Sequence, residues 1–96
     1  MNEKRKEKMA ISLLEIDLCR VLRMVSDLCK IKLPSKVIEL SLVPSSGILH
    51  IRFKEPKKAE LGEPLHPLIH IFRDEETEEI TALEIINIEK LISLRP

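Results

Sequence analysis

An apolar stripe at spacings of three and four residues marks the first part of the chain and is typical of an amphipathic helix. Its members are Leu14, Leu18, Val21, Leu22, Val25 and Leu28. Just before it, Ser12-Leu13-Leu14-Glu15 has the form of a capping box, in which the serine and glutamate side chains bind free amides at the start of a helix. Pro34 excludes a longer helix, because it lacks the amide hydrogen that a helix interior needs. The pattern therefore predicts one helix over about residues 13–29.

Beyond Lys36 the apolar period changes to two, which is typical of a β-strand. Ile38, Leu40 and Leu42 alternate with side chains of the opposite face, and Leu49, Ile51 and Phe53 repeat that alternation further on. The intervening Pro44-Ser45-Ser46-Gly47 is a turn sequence. Two strands joined by such a turn predict a β-hairpin.

A second hairpin is predicted from residues 68–73 and about 79–87, joined by the acidic segment Asp74-Glu75-Glu76-Thr77-Glu78. The tail over residues 88–94 fits either one or two turns of helix or a continuation of the last strand. Residues 54–67 separate the two hairpins and contain Pro56, Pro64, Pro67 and Gly62. We expect a loop there, which either covers a sheet edge, the favoured alternative, or forms a binding surface.

These elements predict an α+β fold and a single domain over residues 1–96. The N-terminal amphipathic helix is expected to pack on one face of a four-stranded antiparallel sheet built from two β-hairpins, with a short C-terminal helix as one alternative for the tail. Residues 1–11 carry a mixture of basic and acidic side chains, and we expect a frayed end.

The composition restricts the classes of function. The chain is 44% apolar and 33% charged, which suits a folded soluble domain. With two Phe and no Tyr or Trp, the chain has few aromatic side chains on which single-stranded nucleic acids or sugars could stack. Its two Gly are too few for a glycine-rich phosphate-binding loop. No apolar run has the length of a membrane span or a signal peptide core, so a cytoplasmic location is expected. Abundant Glu, Lys and Ile with no Gln resemble the usage of proteins from hot environments.

The net charge of zero hides a basic first third and an acidic last quarter. Lys4, Arg5, Lys6 and Lys8 would suit a nucleic-acid-binding arm, but Glu3 and Glu7 interrupt that cluster. A solvated chain end is the interpretation that we favour for this cluster.

Candidate catalytic and metal-binding residues are few. Cys19 and Cys29 lie ~15 Å apart on the predicted helix, too far for a disulfide, and we expect buried or half-buried thiols. Neither these thiols nor Ser45 and Ser46 have the local signature of a nucleophilic site. We therefore predict no enzyme activity, no catalytic residue and no cofactor.

His50, His66 and His70 raise the question of a zinc or copper site. On an extended segment His66 and His70 would lie ~13 Å apart, beyond the reach of one ion. No metal site is predicted, and the histidines are expected at the surface or half-buried on the sheet. Glu84 is either a buried carboxylate with a shifted pKa or, as we favour, a residue of the less buried face that is paired with a cation such as Arg52 or Arg73.

The stretch Ser46-Gly47-Ile48-Leu49-His50-Ile51-Arg52-Phe53, residues 67–72 and Ile80-Thr81-Ala82-Leu83-Glu84-Ile85-Ile86 resemble the microbial family called domain of unknown function 2283. The resemblance covers residues 46 to about 90. Leu49, Ile51, Glu84 and Ile85 match distinctive family positions, whereas Gly47, His50 and Ala82 stand where the family has Asp, Tyr and Gly. The resemblance implies a small β-rich domain without an established activity. Some members of that family are proposed as partners of toxin-like proteins.

Both faces of the second hairpin are rich in apolar residues, and one helix covers only one face of a sheet. We therefore expect a protein that acts by association, as a homo-oligomer, most simply a two-fold dimer, or as a binder of a protein partner, such as an antitoxin-like module. The predicted interface residues are Phe72, Ile80, Ile86, Leu91 and Ile92. A nucleic-acid-associated protein is the second alternative and an enzyme the third.

Overall fold

The computed structural model describes residues 16–94, which form two helices and one antiparallel sheet. The helices are α1 (Leu18–Cys29) and α2 (Ile88–Ser93), and the strands are β1 (Glu39–Val43), β2 (Ile48–Arg52), β3 (Glu60–His66), β4 (Ile69–Asp74) and β5 (Ile80–Ile85). The strands follow the order β1-β2-β5-β4-β3 across the sheet. The predicted α+β class, both hairpins and a short C-terminal helix are confirmed. The predicted count of four strands is wrong, because the sheet has five.

The fifth strand is β3, which lies in the segment predicted to be a loop. It pairs with β4 at one edge of the sheet, and its register shifts between Pro64 and His66. An edge strand needs backbone hydrogen bonds on one side only, so it tolerates a proline that a central strand would exclude. The proline and glycine content of this segment is therefore compatible with an edge strand, and the loop prediction is wrong for residues 60–66.

Helix α1 begins later than its apolar stripe predicts. Asp17 has an extended backbone, with φ −86° and ψ 95°, and its side chain accepts the Arg20 amide as an N-cap. The predicted start near residue 13 is wrong for this helix, and Ser12-Leu13-Leu14-Glu15 lies outside the described residues. The helix ends at Cys29 and is capped by Lys30, which has a left-handed backbone (φ 55°) and donates its amide to the Ser26 carbonyl.

The core lies between one face of the sheet and the two helices. Val21 and Val25 of α1 and Ile88 and Leu91 of α2 are buried there. The sheet contributes Leu49, Ile51, Ile69, Ile71, Leu83 and Ile85, all fully buried. Leu28 is 40% exposed, so the predicted stripe is wrong at its last position.

The two cysteines differ in their surroundings. Cys19 is exposed, which contradicts the expectation of a buried or half-buried thiol. Cys29 is half-buried, and burial raises the pKa of its thiol. The expectation is confirmed for Cys29 alone.

The β1–β2 and β4–β5 hairpins close with turns of the same form. In each, the amide of the fourth loop residue donates to the carbonyl of the residue before the loop: Gly47 to Val43 and Glu78 to Asp74, both at 2.8 Å. Gly47 and Glu78 both have positive φ, 78° and 66°, a backbone conformation that suits glycine and strains a side chain. The first turn also docks on α2, because the Gly47 carbonyl accepts the Ile88 amide at 2.8 Å.

Candidate functional site

The face of the sheet opposite the core carries Phe72 and most of the polar side chains of the strands, and we call it the open face. Residues directly opposite in neighbouring strands share a face, and successive residues alternate between faces. Across the five strands the pairing aligns two rows on this face: Ser41, His50, Glu84, His70 and Pro64, then Glu39, Arg52, Ala82, Phe72 and Gly62. Within residues 16–94, both helices pack on the other face through their buried apolar residues.

A histidine, a glutamate and a second histidine occupy the three central strands of the first row. His50 of β2 and His70 of β4 are each directly opposite Glu84 of β5. All three residues are half-buried, and within residues 16–94 their side chains make no hydrogen bond to another residue. The row therefore presents a carboxylate between two imidazoles, and these groups can accept or donate hydrogen bonds to a bound molecule.

Phe72 lies beside this row and is the largest apolar side chain of the open face. Its ring centroid is 6.3 Å from that of His50, with an angle of 55° between the two ring planes. On its other side the ring lies over Gly62, where a Cβ atom would come within 3.3 Å of the Phe72 Cε2 atom. Gly62 on β3 and Ala82 on β5 flank Phe72 in register, so small residues leave room for the ring.

Arg52, Glu60 and Thr81 form a polar network that connects the first hairpin to β3. The guanidinium of Arg52 donates to both carboxylate oxygens of Glu60, at 2.9 and 3.1 Å, and the Thr81 hydroxyl donates to the same carboxylate. The Arg52 and Glu60 side chains are 14% and 20% exposed. Because Arg52 donates to it, the pKa of the Glu60 carboxyl lies below its ordinary value, and the Thr81 hydrogen bond lowers it further.

The prediction that Glu84 pairs with Arg52 or Arg73 is wrong. Arg52 binds Glu60, and Arg73 binds Glu63 at 3.1 Å. Both glutamates belong to β3, which the sequence did not reveal as a strand. The expectation that Glu84 lies on the less buried face is confirmed by its position between the two histidines.

The five predicted interface residues are distributed between different parts of the fold. Phe72 lies on the open face, and Ile86 is half-buried just after β5. Ile80 and Leu91 belong to the core, with exposed fractions of 8% and 0%, and Ile92 packs against that core. Phe72 and Ile86 are therefore the members that lie outside the core cluster.

The third histidine has a local structural role. The Nδ1 atom of His66 accepts the Leu68 amide at 3.1 Å in the turn between β3 and β4. His50, His66 and His70 are all half-buried on strands, as expected. In the part of the chain that the structure describes, no three His, Cys, Asp or Glu side chains are grouped closely enough to hold a metal ion.

An open groove of about 810 Å³ lies between the α1–β1 connection and the β4–β5 turn. Its lining mixes basic and acidic side chains around Phe53 and Ile80. Lys54 pairs with Glu79 there, and Arg73 donates to the Glu78 carbonyl. Lys54 and Arg73 therefore already have partners within the fold, whereas Lys32 and Lys36 are exposed at the rim of the groove. We take the open face as the stronger candidate for a binding site because it groups an aromatic ring with polar side chains. The basic cluster at Lys4, Arg5, Lys6 and Lys8 lies outside the described residues.

Over residues 16–94, neither helix combines the length and the apolar character needed to cross a membrane. Comparison of the chain with family models, with curated proteins and with solved structures finds no match.

Proposed function

We propose that the protein acts by association, binding a protein partner through the open face of its sheet with Phe72 at the centre of the contact. The observation that supports this proposal is the division of the sheet into two unlike faces. One face is buried under both helices, whereas the other holds an aromatic ring among half-buried imidazole and carboxylate groups. An aromatic anchor within a polar surround is the usual anatomy of a protein-binding surface.

The charges of the open face favour association with another protein. Arg52 and Glu60 already neutralise each other through two hydrogen bonds. A partner that covers them therefore does not bury an unpaired charge. The row of His50, Glu84 and His70 supplies hydrogen-bonding groups next to the ring. A partner that offers an apolar side chain to Phe72 and polar groups to this row fits the surface. The resemblance to a family with proposed toxin-binding members is compatible with such a partner.

The proposal is tested with Phe72→Lys and a matched control, Leu28→Lys. Leu28 is an apolar residue of α1 that is 40% exposed, so both variants add the same charge to a different side of the fold. The tagged wild-type protein and both variants are used to capture partners from the native cell, and the captured protein is then purified. We expect this purified partner to bind the wild type and Leu28→Lys alike and to bind Phe72→Lys at least tenfold more weakly. Equal binding to all three proteins would contradict the proposal.

A salt titration of the same complex distinguishes apolar association from nucleic-acid binding. Affinity that depends on phosphate contacts falls steeply as salt is added, because bound counterions are released. An apolar contact around Phe72 keeps its affinity or strengthens under the same titration. A steep loss, together with recovery of nucleic acid in the captured material, would favour the alternative that uses the basic N-terminal cluster.

A further inference from the structure

We infer that a second copy of this chain pairs with strand β1, so that two five-stranded sheets join into one. This inference extends the proposed association to a different surface, the edge of the sheet, and it can fail independently of the open face. The sheet has two edges, β1 and β3, and they are built in opposite ways.

The β3 edge has features that prevent further strand pairing. Pro64 lacks an amide hydrogen, the register shifts just after it, and Glu60 and Glu63 add charge. Such features are how soluble proteins block a free edge from pairing with another strand. The β3 edge is therefore closed to a further strand.

The β1 edge has almost none of these protective features. Its residues Glu39–Val43 contain no proline or glycine, pair with β2 in regular register and include one charged side chain. Ile38, which directly precedes β1, and Val43, its last residue, are 48% and 49% exposed although both are apolar. An unprotected edge with exposed apolar ends is a template for another strand.

The sequence of β1 is complementary to itself in an antiparallel two-fold pairing centred on Leu40. In that register Glu39 of one copy lies opposite Ser41 of the other, Ile38 lies opposite Leu42, and Leu40 lies opposite itself. No like charges meet, and the only charged group faces a hydroxyl that can donate to it. Leu40 and Leu42 already pack against the core, so the pairing makes the two cores continuous. This charge and apolar complementarity identifies the occupant as a second copy.

The first experiment measures the mass of the wild-type protein by sedimentation velocity and by light scattering after size exclusion. We expect a dimer at about 100 µM, a concentration well above a micromolar dissociation constant. Val43→Lys should give a monomer with an unchanged circular dichroism spectrum. The matched control Leu61→Lys changes a residue that is 58% exposed on the β3 edge, and it should remain dimeric. A monomeric wild type, or equal dimerisation of both variants, would overturn the inference.

The second experiment tests the register with two opposite charges at the exposed Ser41. Ser41→Glu places two like-charge pairs across the two-fold axis and should weaken the dimer on the order of tenfold. Ser41→Lys places a cation opposite Glu39 in both halves and should keep or strengthen it. Equal weakening by both variants would overturn the pairing about Leu40. Binding of the captured partner to Phe72 is measured separately, so failure of the dimer leaves the test of the open face unaffected.

Discussion

Glu60→Ala is predicted to destabilise the fold strongly, because Glu60 connects the edge strand β3 to the first hairpin. Its carboxylate accepts two hydrogen bonds from Arg52 and one from Thr81. The matched control is Glu63→Ala, since Glu63 lies on the same strand and also pairs with an arginine. The Glu63 pair has one contact of 3.1 Å, and its carboxylate side chain is 49% exposed, compared with 20% for Glu60.

The expected magnitudes follow from this difference in number of contacts and exposure. A hydrogen bond to a charged group contributes about 1.5–3 kcal/mol to stability when it is shielded from solvent. At a partly exposed site the contribution is smaller, because water can take the place of the missing partner. We therefore expect Glu60→Ala to cost about 2–3 kcal/mol of unfolding free energy, which includes the cost of leaving Arg52 shielded without its partner. Glu63→Ala should cost about 0.5 kcal/mol or less, as exposed ion pairs do.

Urea unfolding followed by circular dichroism measures both costs, and its pH dependence identifies the cause. The pKa of Glu60 is lowered in the folded state, so its contribution to stability is complete above its unfolded pKa and is lost as the pH falls through the folded value. The difference between wild type and Glu60→Ala should therefore shrink towards acid pH. A cost under about 0.5 kcal/mol at pH 7, or a difference that grows towards acid pH, would refute this account of the network.

Three further predictions concern the core and the turns. Val25→Ala should lower the free energy of unfolding by about 1.5–3 kcal/mol, because Val25 is fully buried. Leu28→Ala on the same helix should change it by about 0.5 kcal/mol or less, because Leu28 is 40% exposed, and thermal unfolding measures both variants. Asp74→Ala should lower the melting temperature by several degrees, because the Asp74 carboxylate accepts three backbone amides. These bonds lower the pKa of Asp74, so the loss should shrink as the pH falls through that lowered value. Glu78→Gly should raise the unfolding free energy by about 0.5–1 kcal/mol because it relieves a positive φ, and Gly47→Ala should lower it by about 1–2 kcal/mol; opposite signs would contradict the assignment of the turns.

The elements that the sequence predicts correctly are those that depend on local patterns. The stripe with Val21 and Val25 indicates the buried side of α1, and the period of two indicates the hairpins. Alternation also places Phe72 and His70 on the same face. In each case the side chains that face the core recur at the spacing of the element itself, so a short window contains the whole signal.

The candidate site is less accessible to sequence reasoning because it depends on the order of strands. His50 and His70 meet Glu84 only because β5 lies between β2 and β4, and nothing near any of the three residues encodes that order. The salt bridge from Arg52 to Glu60 also needs β3 to be a strand. Because the sequence predicts a loop over residues 60–66, it does not place Glu60 and Glu63 beside the two arginines, and the predicted arginine partner of Glu84 is therefore wrong.

The error at β3 has a physical cause that also supports the dimer. Proline and glycine lower the strand propensity of a segment, and an edge strand is the place in a sheet where their cost is small. Pro64 and Gly62 therefore make β3 look like a loop and at the same time protect it from further pairing. By the same reasoning, the regular alternation that made β1 easy to predict leaves its edge without protection. The two edges respond oppositely to the same substitution if this reasoning is right, which is why lysine at Val43 and lysine at Leu61 are compared.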